Sequence, residues 1–163
     1  MKVTLFALTF TFLLTGCATK NLTSSKPVFK TINKSQVITM KTKKFAFSDS
    51  GFYKNNENKI TIQAYSSGVG VGELKFYKNK DMICVGKLCN TKKWFKDNFL
   101  SSDYTDNLIV NVLDKKPILD GKNLTKTQDG FSQDIGAIKY RTSPSEIYFK
   151  DRANKIIIKL RDM

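Results

Sequence analysis

Few residues in this chain are able to do chemistry. Its 163 residues include three cysteines and no histidine. Without histidine the chain lacks the usual general base, the usual zinc ligand and any Ser-His-Asp triad. No serine stands in a fitting S-x-x-K context, and four acidic residues fall in predicted helix caps and loops, where capping and solvation explain them: Asp103, Asp106, Asp114 and Asp120. The sequence therefore predicts a protein that is not an enzyme and that holds no metal or cofactor.

The first cysteine follows an apolar segment near the N-terminus. Lys2 precedes a stretch from Val3 to Leu14 that is typical of an export signal and too short for a membrane-spanning helix, which needs about 20 residues. The next residues, LTGC at 14–17, resemble the lipobox of bacterial lipoproteins, whose cysteine is acylated and becomes the first residue of the mature chain. We expect residues 1–16 to be a signal peptide and Cys17 to be lipidated. The alternative is an ordinary secretory signal in which Cys17 is an incidental thiol.

The residues after Cys17 indicate location and domain organisation. Lipoproteins retained in the inner membrane of many Gram-negative bacteria carry aspartate at mature position two, so Ala18 favours the periplasmic face of the outer membrane. Residues 17–34 are polar and include Pro27, as expected for the lipidated cysteine and a tether. Residues 35–163 are long enough to form one domain with its own core.

The chain is strongly basic. Without Lys2, 27 basic residues face 14 acidic ones, a net charge of +13. Nucleic acid is not the expected partner, because export removes the protein from the cytoplasm and the lysines are scattered. A solvated basic surface facing lipid phosphates or lipopolysaccharide explains the charge, and so does a basic proteome that uses lysine freely.

Short alternating runs rich in β-branched and aromatic residues predict antiparallel strands joined by tight turns. About eight strands are expected, at 35–40, 44–53, 59–65, 73–77, 82–85, 137–141, 146–150 and 155–160.

The pattern changes to a helical period in the middle of the domain. Thr91 is expected to cap a short helix that carries Trp94, Phe95 and Phe99 on one face, and Asp103 to cap a second one. The second helix has an apolar stripe made of Leu108, Ile109, Val112 and Leu113. The predicted fold class is α+β: a half-open, strongly curved antiparallel β-barrel or sheet with a lid of amphipathic helices.

Cys84 and Cys89 stand close together in CVGKLC, with Gly86 and Lys87 between them to make a turn. Two cysteines this close in an oxidising compartment favour a disulfide. A metal site would need two further ligands of the right type, and the sequence offers none. Free buried thiols are the remaining alternative.

Residues 43–161 resemble the LolA/LolB family of lipoprotein localisation factors. Three stretches carry the resemblance: SSGVGVGELKF at 66–76, DNLIVNVLD at 106–114, and Pro144, Ile147 and Phe149 followed by KIIIKL. The family fold is a half-open antiparallel barrel with a helical lid and an apolar cavity. The sequence departs from the family at Asn111, where a tryptophan is usual, and in the CVGKLC pair.

The resemblance implies a monomeric outer-membrane receptor that accepts acylated lipoproteins from a periplasmic LolA-like carrier. The acyl chains of those lipoproteins would occupy a cavity whose candidate lining residues are Phe45, Phe47, Ile60, Ile62, Leu74, Phe76, Leu108, Ile109, Val112 and Leu113. The same residues are equally expected of a filled core. A rival function is that of a non-catalytic accessory or structural lipoprotein in envelope assembly.

The family exposes a hydrophobic residue on the loop that corresponds to residues 66–70, where it serves delivery into the bilayer. By resemblance this residue is Val69. The alternative is a bulged strand with Val69 and Val71 buried on one face.

Overall fold

The structure is a computed structural model that describes residues 34–163. The predictions for residues 1–16, Cys17 and the tether therefore fall on residues outside the described part of the chain. The strands are β1 Lys34–Lys41, β2 Ala46–Asn55, β3 Lys59–Ser66, β4 Val69–Tyr77, β5 Ile83–Val85, β6 Leu88–Asn90, β7 Leu124–Thr127, β8 Gly130–Ile135, β9 Ile138–Thr142, β10 Glu146–Asp151 and β11 Ile156–Asp162. The α-helices are α1 Lys92–Phe99 and α2 Leu108–Leu113, and a 3₁₀ turn covers Leu119–Gly121.

All eleven strands form one antiparallel sheet, in the order β6-β5-β4-β3-β2-β1-β11-β10-β9-β8-β7. Strands that pair are consecutive in sequence, except at the centre, where the first described strand pairs with the last. The sheet is not closed, because β6 and β7 are its two ends. The eight predicted strands are present, and the predicted sheet-dominant α+β class is compatible with this architecture. Three strands, β6, β7 and β8, were not predicted.

One face of the sheet carries the hydrophobic core. In β10 and β11 buried and partly exposed residues alternate, as a strand with one buried face requires. Ile147 and Phe149 of β10 lie opposite Leu160 and Ile158 of β11, and all four are at most 2% exposed. Cross-strand pairs of this kind continue across the sheet, so that the core spans both halves of the domain.

A glycine in β2 permits close packing in this core. A Cβ atom on Gly51 would lie 2.3 Å from Ile38 Cδ1 and 2.5 Å from the carbonyl oxygen of Gln63. Ile38 is completely buried. The absence of a side chain at Gly51 therefore allows Ile38 to cross over the neighbouring strand.

Helix α1 begins as predicted. The Thr91 hydroxyl accepts a hydrogen bond from the Trp94 amide at 3.1 Å, which satisfies one of the free N–H groups of the first turn. Phe95 is buried and meets Phe76 of the sheet edge to face, with ring centroids 5.6 Å apart. The apolar side of this helix thus packs on β4.

Helix α2 is shorter than predicted, and the expected cap at Asp103 is wrong. The helix begins at Leu108, with Asn107 at the N-cap position and no side-chain cap hydrogen bond. Asp103 belongs instead to a preceding turn, where its amide bonds to the Ser101 hydroxyl at 3.5 Å. Since five of the six residues of α2 are buried, tertiary packing stabilises this short helix.

Two tyrosines of the sheet bind the end of α2. The Tyr53 hydroxyl donates to the carbonyl of Leu113 at 2.6 Å, and the Tyr140 hydroxyl donates to that of Val112 at 3.2 Å. The last carbonyls of a helix lack partners within it, and the tyrosines supply them. The Val112 carbonyl also accepts a bond from the Lys115 amide at 3.3 Å. Burial raises the pKa of Tyr53 to about 12, which keeps this donor protonated.

A buried carboxylate is fully hydrogen-bonded at the turn between β10 and β11. Asp151, 2% exposed, accepts bonds from the Tyr104 hydroxyl, from the amides of Ala153 and Asn154, and from the Asn154 side chain. Burial raises the pKa of Asp151, but these bonds outweigh it and hold the pKa below its ordinary value. Asp151 therefore connects the segment before α2 to the sheet as a charged group.

Candidate functional site

A cavity of about 350 Å³ lies on the core face of the sheet, over the first five strands. Its walls are almost entirely apolar. The lining residues are Ile38, Met40, Phe45, Phe47, Ile62, Ala64, Val71, Gly72, Glu73, Leu74, Val85 and Gly86.

Small residues and a bulge leave this space unfilled. Ala64 and Gly72 are directly opposite each other on β3 and β4, and a Cβ atom on Gly72 would meet nothing within 4 Å. The register shifts just beyond this pair, at Ala64 and Tyr65, so that Val71 has no cross-strand partner in β3. Helix α1 covers the other end of β4 through Phe95 and Phe76. The core is therefore filled at one end of these strands and hollow at the other.

The rim of the cavity and the neighbouring hairpins expose apolar side chains. Four large hydrophobic residues of β4, β5 and β6 are exposed by 66% at Val69, 56% at Val71, 37% at Val85 and 76% at Leu88. Isolated exposed aliphatic residues are common on protein surfaces, but a group on three adjacent strands beside an apolar cavity is typical of an interaction site. Val71 and Val85 line the cavity themselves, so it opens to solvent between them.

One ionisable residue, Glu73, borders the cavity, and the strand register places its side chain beside that of Gln63, on the opposite face from Ile62 and Leu74. Glu73 forms an ion pair with Lys75 at 2.5 Å and accepts a hydrogen bond from the Gln63 side chain at 3.1 Å. The bond from Lys75 lowers the pKa of Glu73, and that from Gln63 lowers it further. The carboxylate is thus charged and already paired with a cation, so the site lacks a free acid or base. What the cavity can do chemically is bury an apolar chain.

Four of the ten predicted lining residues lie at this cavity, namely Phe45, Phe47, Ile62 and Leu74. The other six belong to the filled core: Ile60, Phe76, Leu108, Ile109, Val112 and Leu113 are each at most 1% exposed. The sheet residues among the six lie beneath the helices, and the helix residues pack against the sheet. The two alternatives that the periodicity left open, cavity and filled core, therefore apply to different parts of the same face.

Val69 is the first residue of β4 and follows a two-residue turn. Both turn residues have positive φ, 49° at Ser67 and 80° at Gly68, as the favoured two-residue hairpin requires. Residues 66–70 thus contain a strand end as well as a turn. The alternative of a buried Val69 and Val71 is wrong, because both side chains are exposed.

The structure joins Cys84 and Cys89 by a disulfide, with the sulfurs 2.02 Å apart. The two cysteines are directly opposite each other in the β5–β6 hairpin. Val85 and Leu88 are the next opposite pair of that hairpin, and Val85 lines the cavity. The disulfide therefore fixes a hairpin that forms one wall of the site.

Sequence reasoning missed Ile38, Met40, Val71, Val85 and Leu88. Val85 and Leu88 lie between the two cysteines of CVGKLC, whose spacing predicts a disulfide and not an apolar surface. The alternation of valine with glycine in GVGVG is the sequence feature that could have indicated an exposed Val71.

Metal-binding clusters and membrane-spanning helices are absent from the described residues. Residues 34–163 contain no group of three or more His, Cys, Asp or Glu side chains that could hold a metal ion. In the same part of the chain no helix has the length and apolar character needed to cross a bilayer.

Comparison with protein families, with curated proteins and with solved structures finds no significant match. Fold and site together define a class of protein: an open antiparallel sheet with two short helices and a solvent-accessible apolar cavity. The resemblance to the LolA/LolB family rests on the quoted residues alone, and its functional content stays a prediction.

Proposed function

We propose that this protein is a bacterial outer-membrane lipoprotein that accepts an acyl chain of another lipoprotein in its cavity and delivers it to the bilayer, as a LolB-like receptor does. The observation that carries the proposal is the cavity, since its largely apolar walls offer a surface to a hydrocarbon chain and its one acidic residue, Glu73, is ion-paired to Lys75. The lipobox-like sequence at Cys17 supports the membrane location.

The size of the cavity favours one chain at a time. Its volume of about 350 Å³ is near the lower end of the range of small-molecule sites, roughly 300–1,000 Å³. A triacylated lipoprotein has three chains, so the others need a second surface. The exposed apolar residues around the rim, Val71 and Val85, supply a surface of this kind.

The finer architecture belongs to the same proposal. The open sheet corresponds to the half-open barrel of the family, and α1, packed on β4 through Phe95 and Phe76, corresponds to part of its helical lid. Movement of α1 away from β4 would enlarge the cavity toward Ile60 and Phe76, which lie opposite each other beneath it.

A substitution that fills the cavity tests acyl binding. Gly72→Leu places a side chain in the open space beside Ala64, and we expect the affinity for a fluorescent fatty acid to fall about tenfold or more. Gly70→Leu is the matched control, because it adds the same side chain to the same strand outside the lining, and it should bind normally. If the wild-type domain binds no fatty acid or lipopeptide, the proposal is wrong and the accessory lipoprotein becomes the better interpretation.

Delivery is tested at Val69. Because this side chain is 66% exposed, Val69→Glu should leave the melting temperature and fatty-acid binding unchanged, while it places a charge where an apolar residue would enter lipid. Transfer of a labelled lipoprotein from the protein to liposomes should then be blocked. Transfer at the wild-type rate would remove Val69 from the delivery step.

A further inference from the structure

The β5–β6 hairpin presents the most exposed large apolar side chain of this part of the sheet. Leu88 is 76% exposed and lies opposite Val85, which is 37% exposed, across a hairpin that ends in the turn residues Gly86 and Lys87. The hairpin stands at the edge of the sheet, where β6 pairs only with β5. The Cys84–Cys89 disulfide joins its two short strands. An exposed leucine is thus held on a covalently closed projection next to the cavity.

Three turns lie at this end of the strands. Because consecutive strands β1 to β6 are antiparallel, the β1–β2, β3–β4 and β5–β6 connections all lie at the same end. The β3–β4 turn leads into the exposed Val69, and the β5–β6 turn leads into Leu88. Apolar side chains therefore project from two neighbouring hairpins at one end of the domain.

Lysines accompany these apolar side chains. Lys41, Lys43 and Lys44 surround the β1–β2 turn, and Lys87 is in the β5–β6 turn. Among the described residues no carboxylate lies within ion-pair distance of these four. Lys44 instead donates to the Asn98 side chain at 2.8 Å and lies over the Phe99 ring at 5.7 Å.

Several lysines elsewhere in the domain are ion-paired. Lys78 and Lys116 contact Asp114 at 2.5 and 2.8 Å, and Lys96 contacts Asp106 at 3.0 Å. The end of the sheet with the exposed leucine and valine therefore combines apolar side chains with uncompensated positive charge. The surface of a lipid bilayer matches both features, because it offers hydrocarbon close to phosphate groups.

We infer that this end of the sheet docks onto an anionic lipid bilayer, with Leu88 and Val69 entering the acyl boundary from separate hairpins and with the turn lysines on the lipid phosphates. The inference goes beyond the proposed function, because it adds a second insertion element and a lipid preference. It rests on the proposal that the protein works at a membrane, yet it does not require that the cavity hold a chain.

Vesicle sedimentation with the domain of residues 31–163 tests the inference. This fragment lacks the anchor and contains every described strand and the whole described core. It should sediment with vesicles of phosphatidylcholine and phosphatidylglycerol, and much less with phosphatidylcholine alone or in high salt. Equal binding to both kinds of vesicle, or binding to neither, would overturn the inference.

Charge variants locate the contact. Lys43→Gln with Lys87→Gln should weaken binding to the anionic vesicles about 25-fold, since each lysine near such a surface contributes roughly a factor of five. Lys122→Gln with Lys126→Gln removes the same charge at exposed positions beside and within β7, and should have little effect. An equal loss in both variants would show that only net charge matters and would refute a defined docking end.

The apolar contact has its own pair of variants. Leu88→Gln should reduce vesicle binding severalfold, whereas Met163→Gln, at an apolar residue that is 77% exposed elsewhere, should not. Fatty-acid binding by Leu88→Gln should stay normal, so loss of docking is distinguishable from loss of the cavity function. If the wild-type domain dimerises and Leu88→Gln makes it monomeric without affecting vesicle binding, this surface serves a second copy of the chain and the inference fails.

Discussion

Replacing Gly51 by alanine is expected to lower the free energy of unfolding of the domain. The new methyl group would lie 2.3 Å from Ile38 Cδ1 and 2.5 Å from the Gln63 carbonyl oxygen, both well inside contact distance. The Ile38 side chain can rotate toward the cavity that it lines. The Gln63 carbonyl belongs to the adjacent strand, so relief there requires the backbone of β3 to move.

The structure sets the size of the effect. Overpacking a well-packed core typically costs about 1–3 kcal/mol, and the clash with backbone places Gly51→Ala in the upper half of that range. For a domain of this size about 2 kcal/mol corresponds to a fall of roughly 5–10 °C in the melting temperature. Displacement of Ile38 into the cavity should also lower fatty-acid affinity, because it takes up the space that the ligand needs.

The assay is urea unfolding of residues 31–163, with Gly72→Ala as the matched control. A Cβ atom at Gly72 meets nothing within 4 Å, so this change should be neutral or stabilise by up to about 1 kcal/mol. Ile38→Val in the Gly51→Ala background removes the closest side-chain atom and should recover part of the loss. If Gly51→Ala and Gly72→Ala unfold at the same urea concentration, the close packing described for β2 is wrong.

Three further predictions concern other parts of the molecule. Tyr104→Phe should lower the free energy of unfolding by about 1.5–3 kcal/mol, because it removes a hydrogen bond to the buried Asp151 carboxylate. Because folding lowers the pKa of Asp151, its contribution to the free energy of unfolding is complete above the unfolded pKa of about 3.9 and is lost as the pH falls through the folded pKa. Tyr104→Phe removes a bond that lowers this pKa, so the loss should occur at higher pH. Acid titration followed by circular dichroism measures it. Replacing Cys84 and Cys89 together by serine should lower the free energy of unfolding in urea by about 2 kcal/mol on the loop-closure model. In wild-type protein from the periplasm, neither of these cysteines should react with an alkylating reagent before reduction. Cys17→Ser should abolish incorporation of labelled palmitate, and continued labelling would contradict the lipobox interpretation.

Much of the sheet could be predicted from the sequence, because its strands alternate clearly. KIIIKL and the residues around Phe149 show the period of two that a strand with one buried face imposes. Two of the three missed strands have physical explanations. Strand β6 has three residues, and β7, LTKT, lies at the sheet edge with three of its four residues exposed and lacks an apolar face. Short or polar edge strands give little periodic signal.

The candidate site was less predictable than the fold. Alternation identified residues that face the core, but it could not say which of them meet a partner. That depends on where α1 ends relative to β4 and on the small residues Ala64 and Gly72, which are tertiary facts. The start of α2 shows the same limit: Asp103 has the chemistry of an N-cap, yet it lies in a preceding turn, where its amide bonds to the Ser101 hydroxyl.

The pairing of β1 with β11 has a consequence for how the molecule is made. These strands occupy the centre of the sheet. Residues that pair between them, such as Gln36 and Asp162, are more than a hundred residues apart in the chain. During synthesis, which proceeds from the N-terminus, the β1–β6 meander can form early. One edge of β1 stays unpaired until β11 has been made. Contacts between distant residues of this kind slow folding. We therefore expect the sheet to be completed only after β11 has been synthesised, and loss of β11 to leave two half-sheets with unpaired edges.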